Sequence, residues 1–99
     1  MTTRMAEMII KDYITDLPEP NYRCRFKRAH FSQRSYSIWA AEEVLRTIRK
    51  RNDVSPIYAV EEFVNRMEYF ACKRPSTSYI FSVAYDVGID ILDILMAAD

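Results

Sequence analysis

The chain has 99 residues, with 14 basic and 14 acidic side chains and a single glycine. That length suits one domain around one core. One glycine argues against a sandwich or barrel, whose tight hairpins use glycine for positive φ, and against glycine-rich phosphate loops.

Pro18, Pro20, Pro56 and Pro75 divide the chain, and four helical patterns lie around them. The first spans about 3–17, with Ala6, Ile9, Ile10, Tyr13 and Leu17 on one face and Glu7 and Lys11 spaced for an i,i+4 pair opposite. Leu17-Pro18-Glu19-Pro20 stops it, because proline cannot continue the ladder and restricts its predecessor. In residues 21–34, Tyr22, Cys24 and Phe26 alternate with Arg23, Arg25 and Lys27. A period of two with no second strand to pair with reads as an extended basic segment laid on the helices, or as a strand paired across a dimer axis.

The second helix is predicted over about 36–51, capped by Ser35, with Ala41, Val44, Leu45 and Ile48 as its apolar stripe. Arg49, Lys50 and Arg51 close its last turn, where cations offset the negative end of the helix dipole. Ser55-Pro56 then places a cap and a first-turn proline in register, opening a third helix over about 56–72. Its inward positions are Ile57, Val60, Phe63, Val64, Met67, Phe70 and Ala71.

The fourth helix, about 79–97, confines Ser82, Asp86, Asp90 and Asp93 to one narrow stripe. Ile80, Val83, Ala84, Val87, Ile91, Ile94 and Leu95 form one apolar face, and Phe81, Tyr85, Gly88, Ile89, Leu92 and Met96 form a second. An apolar arc of roughly 240° is wider than a surface helix needs, so this helix is expected to be buried on two sides. Its three aspartates would each cost about 2.5–3.5 kcal/mol at a bilayer centre, which argues against a membrane span. Met1–Ala6 carries no basic stretch followed by an apolar core, so no export signal is read there and the cytoplasm is the expected location. Cys24 and Cys72 are accordingly expected as buried, reduced thiols.

Charge sums to zero but is segregated. Residues 21–51 carry nine basic and two acidic side chains, while residues 76–99 carry four aspartates and no basic side chain. One reading is internal: the aspartate stripe docks the basic segment. The other is nucleic acid, with Arg23, Arg25, Lys27, Arg28 and Arg34 meeting phosphates while Tyr22, Phe26, Phe31 and Tyr36 stack on bases.

Catalytic signals are sparse. His30 is the one histidine, and two cysteines with it give no zinc-ligand spacing. Asp90-x-x-Asp93 resembles half of the carboxylate pairs of all-α nucleotide pyrophosphohydrolases, but Glu61-Glu62 does not supply the other half. No catalytic set, metal or cofactor is expected, so the chain is read as non-enzymatic.

Trp39 falls on the charged side of the second helix beside Glu42, Glu43 and Arg46, and Tyr58 and Tyr69 fall on the polar side of the third. Exposed aromatics of this kind are enriched in interface hot spots. The stretches Ser35-Tyr36-Ser37-Ile38-Trp39-Ala40-Ala41-Glu42, Phe81 to Val87 and Ile91-Leu92-Asp93 resemble small uncharacterised helical proteins of Gram-positive bacteria and their mobile elements. That resemblance carries no assigned activity and no functional residue.

The expected architecture is an all-α, four-helix bundle-like domain with a long, largely buried C-terminal helix and an extended basic segment between helices 1 and 2. Its expected role is protein–protein interaction, most simply as a homodimer, through Phe81, Tyr85, Leu92, Met96 and Trp39. Nucleic-acid binding by the basic segment is the alternative.

Overall fold

The computed structural model describes residues 1–17, 27–73 and 78–99, the side chains of 27–34 and of Ser78 excepted. Four helices and no strand occur among these residues: α1 (Thr3–Thr15), α2 (Lys27–Lys50), α3 (Pro56–Lys73) and α4 (Ser78–Ala98).

The helix starts follow local chemistry. The Thr2 hydroxyl accepts from Met5 N at 3.2 Å, and the Ser55 hydroxyl accepts from Tyr58 N at 3.2 Å with Pro56 as first helical residue. Each serves an amide that the helix itself leaves unpaired. The Ser55-Pro56 expectation is thus met.

The second helix differs from its expected limits. It begins at Lys27, not at Tyr36, so Ser35 lies inside it and residues 27–34 are helical rather than extended. These residues hold Lys, Arg, Ala and Gln and neither glycine nor proline, so nothing interrupts propagation back from the packed half. The alternating stretch Tyr22–Phe26, with Arg23 and Arg25, lies outside the described residues.

α4 is the hub, with α1, α2 and α3 all packed against it and α3 the most extensively. α1 runs antiparallel to it. Met1 N lies 3.0 Å from a carboxylate oxygen of Asp99, and the Tyr13 hydroxyl reaches Asp90 Oδ2 further back along α4. α2 runs parallel to it. Tyr36 meets Tyr79 edge-on with ring centroids 5.7 Å apart near the start of α4, and Arg49 reaches Glu7 of α1 at the opposite end. Glu7 therefore pairs across to α2, not along its own helix to Lys11 as its spacing suggests. The Arg49 guanidinium holds the Glu7 carboxyl below its ordinary range.

The core joins Ala6 and Ile10 of α1, Ala40, Ala41, Val44, Leu45 and Ile48 of α2, Ala59, Val60, Phe63, Val64 and Met67 of α3, and Val83, Ala84, Val87, Ile91 and Leu95 of α4. Buried Gly88 of α4 lies against Phe63 and Val64 of α3, which leave no room for a Cβ. Five side chains depart from expectation. Cys72 is an exposed free thiol rather than a buried one, since it falls in the last turn of α3 beyond the core. Ile94, on the first apolar face, remains 42% exposed at the edge beside α1. Ile57, Phe70 and Ala71 are only half-buried.

Candidate functional site

The aspartate stripe emerges as the sequence pattern implies. Ser82, Asp86, Asp90 and Asp93 are all exposed along the outer side of α4. On one flank, α1 and α4 form a groove of about 390 Å³ lined by Ile9, Asp12, Tyr13, Asp16 and Ile94. Asp12, Asp16 and Tyr13 reach it because their spacing puts them on the solvent edge of α1 while Ala6 and Ile10 turn inward. Asp90 of α4 accepts a hydrogen bond from the hydroxyl of Tyr13, one of the lining residues.

That bond is 3.3 Å long, a weak one for O–H···O. Burial, then the charge and hydrogen bond of Asp90, then the charge of Asp86, push the Tyr13 phenol up from about 10 to about 12. A phenol that ionises with more difficulty in the fold than in the unfolded chain stabilises fully below its ordinary pKa. This contribution is lost as pH climbs from about 10 towards 12. Tyr13→Phe should therefore be slightly less stable than the parent near neutral pH, by about 0.5–1 kcal/mol. The gap should close or invert above pH ~10, read as the difference in urea midpoint between the two proteins. A gap constant with pH would contradict this account.

On the other flank, Glu68, Ala71, Cys72, Ser82, Tyr85 and Asp86 line a shallower depression between α3 and α4. Among the described residues no group of three or more His, Cys, Asp or Glu is placed to hold a metal ion. Nor, among them, is any helix long and apolar enough to cross a membrane.

The expected interface residues separate. Phe81, Tyr85 and Leu92 are half-buried and pack against the core, because α3 covers much of the second apolar face of α4. Phe81 stacks obliquely on Phe70 at 5.3 Å between centroids. Met96 and Trp39 remain 56% and 38% exposed. Tyr58 and Tyr69 are exposed as expected, and Lys73 Nζ sits 5.0 Å over the Tyr69 ring.

The basic residues separate as well. In the packed half of α2, Arg46 pairs with Glu43 and Arg49 with Glu7 at 2.8 Å, and just past its end Arg51 pairs with Asp53 at 3.1 Å and Glu62 at 2.5 Å. Lys27, Arg28 and Arg34 stand on the first two turns of α2, not on a loop. Whether the basic segment meets the aspartate stripe lies outside the described residues. The α1–α4 groove was not anticipated, although Asp12 and Asp16, four residues apart beside Ile9 and Tyr13, were its signal.

No protein family, no curated protein and no solved structure matches the chain.

Proposed function

We propose that this chain is a non-enzymatic protein–protein interaction module that associates with itself. The observation that carries this reading is large apolar side chains left exposed where the start of α1 adjoins the end of α4. Met5 and Met8 in the first turns of α1, and Ile94 and Met96 in the last turns of α4, are each between 42% and 61% exposed. Large apolar side chains gathered on adjoining elements are the usual mark of a surface that meets another protein, and methionine adapts to such contacts. A homodimer is the simplest form. A reducing, cytoplasmic setting suits the exposed Cys72 thiol. Light scattering over a concentration series tests the reading: a mass rising to twice that of the chain is expected, and a monomer at every concentration rejects it.

A second reading, nucleic-acid binding, is favoured by one observation. The arginines of the packed half of α2 are engaged by carboxylates, whereas residues 21–34 hold Arg23, Arg25, Lys27, Arg28 and Arg34 and no acid. Binding to mixed RNA or DNA at low salt, lost on joint replacement of Arg23, Arg25 and Arg28, is its expected signature. No binding at low salt removes it.

A further inference from the structure

We propose that the α1–α4 groove is the docking site for the first two turns of α2 from a second copy of this chain. The proposal rests on the self-association reading and gives it a place. The groove is lined by Ile9, Tyr13 and Ile94 together with the carboxylates of Asp12 and Asp16, and Asp90 stands beside it, bonded to the Tyr13 hydroxyl. Among the described residues no basic side chain lines it, and Asp12 and Asp16 have no ion pair. An apolar trough edged by carboxylates fits a helix that offers cations around an apolar residue.

The chain carries such a helix. Residues 27–35 read Lys-Arg-Ala-His-Phe-Ser-Gln-Arg-Ser, with three permanent cations, one phenylalanine and no acid. Tyr36 is already level with Tyr79 near the start of α4, and α2 runs parallel to α4. Those earlier residues therefore carry α2 about 13 Å beyond the start of α4, at 1.5 Å per residue. The same geometry denies this arm its own groove. Asp90 lies about 18 Å along α4 from Ser78, in the direction away from the arm, and α2 is one continuous helix. A second copy meets no such restriction. Two copies exchanging arms reciprocally form a closed, two-fold pair, each groove receiving the other's arm.

Charge exchange tests the pairing. Asp12→Arg/Asp16→Arg makes the groove basic, and Lys27→Glu/Arg28→Glu makes the arm acidic. Both exchanges place charge favourably for the helix dipoles, at the end of α1 and the start of α2, so neither should unfold the chain. The parent is expected to be a dimer at low salt that dissociates as salt rises. Each variant alone should weaken association at least about tenfold, because like charges then face each other. Mixing the two variants in equal amounts should restore the dimer mass, since a basic arm then meets an acidic groove and an acidic arm a basic one. A parent dimer that survives either variant unchanged overturns the groove–arm pairing and leaves self-association standing through another face. Variants that dissociate but do not recover on mixing also overturn it. A parent that stays monomeric at low salt overturns both the pairing and the self-association reading.

Discussion

Replacing Gly88 by leucine should remove roughly 3 kcal/mol or more of stability, a lowering of the melting temperature by well over 10 °C in a domain of this size. A Cβ at Gly88 would lie 2.8 Å from Val64 Cγ2 and 3.2 and 3.3 Å from Phe63 Cδ1 and Cε1. Favourable carbon contacts begin near 3.5 Å, so even one methyl must displace its neighbours. Neither neighbour yields cheaply. Val64 is β-branched and held to one rotamer in its helix, and Phe63 is buried at the α3–α4 contact. Alanine at this position regains about 1 kcal/mol of helix propensity, which offsets part of the crowding and leaves a net loss of about 0–2 kcal/mol. Leucine regains nearly as much propensity but forces three further carbons into the same gap, which far outweighs it. Urea denaturation of Gly88→Ala, Gly88→Leu and Val64→Ala/Gly88→Ala provides the measurement. The double variant should be more stable than the sum of its single effects, because removing Cγ2 makes room for the new methyl. Strict additivity, or a Gly88→Leu protein as stable as the parent, would show that α4 and α3 are not held as closely as described.

The same helix explains what was readable beforehand. Ser82, Asp86, Asp90 and Asp93 announce the solvent face of α4 because desolvating three carboxylates would far exceed any packing gain. Ala41, Val44, Leu45 and Ile48 announce the core stripe of α2, and all four are buried. Ser55-Pro56 marks a helix start through backbone chemistry that needs no tertiary contact. The start of α2 at Lys27 was not legible because residues 27–35 show no apolar stripe, only Ala29 and Phe31 among Lys, Arg, His, Ser and Gln. Periodicity also cannot say which neighbour covers a face. Phe81, Tyr85 and Leu92 read as an open surface from α4 alone, and only the placement of α3 half-covers them. Gly88 stands in the same category. A lone glycine inside a helix signals a close approach, but the partner, Val64, is 24 positions away and known only from the fold.

Ile91→Ala and Ile94→Ala make the second large contrast, since the residue type, the helix and the substitution are identical. Ile91 is fully buried, while Ile94 is 42% exposed and lines the α1–α4 groove. Truncating Ile91 removes buried carbons and leaves a void among Val87, Leu95 and the facing helices, for an expected loss of about 2–5 kcal/mol. Truncating Ile94 forfeits only partial burial and gains a few tenths of a kcal/mol of helix propensity, so the expected loss is under about 1 kcal/mol. Equal losses for the two variants in urea would mean that α1 covers Ile94 in solution and closes the groove. In association the order should reverse. Ile94 forms part of the floor on which a second copy's arm would rest, so its truncation should lower the dimer mass at concentrations where the monomer is fully folded. Ile91, sealed inside each copy, can affect association only by unfolding the chain, and its loss of mass should track its loss of helix signal. The residue expected to govern folding and the one proposed to govern assembly thus lie one helical turn apart, separated by 60° around the axis at 100° per residue.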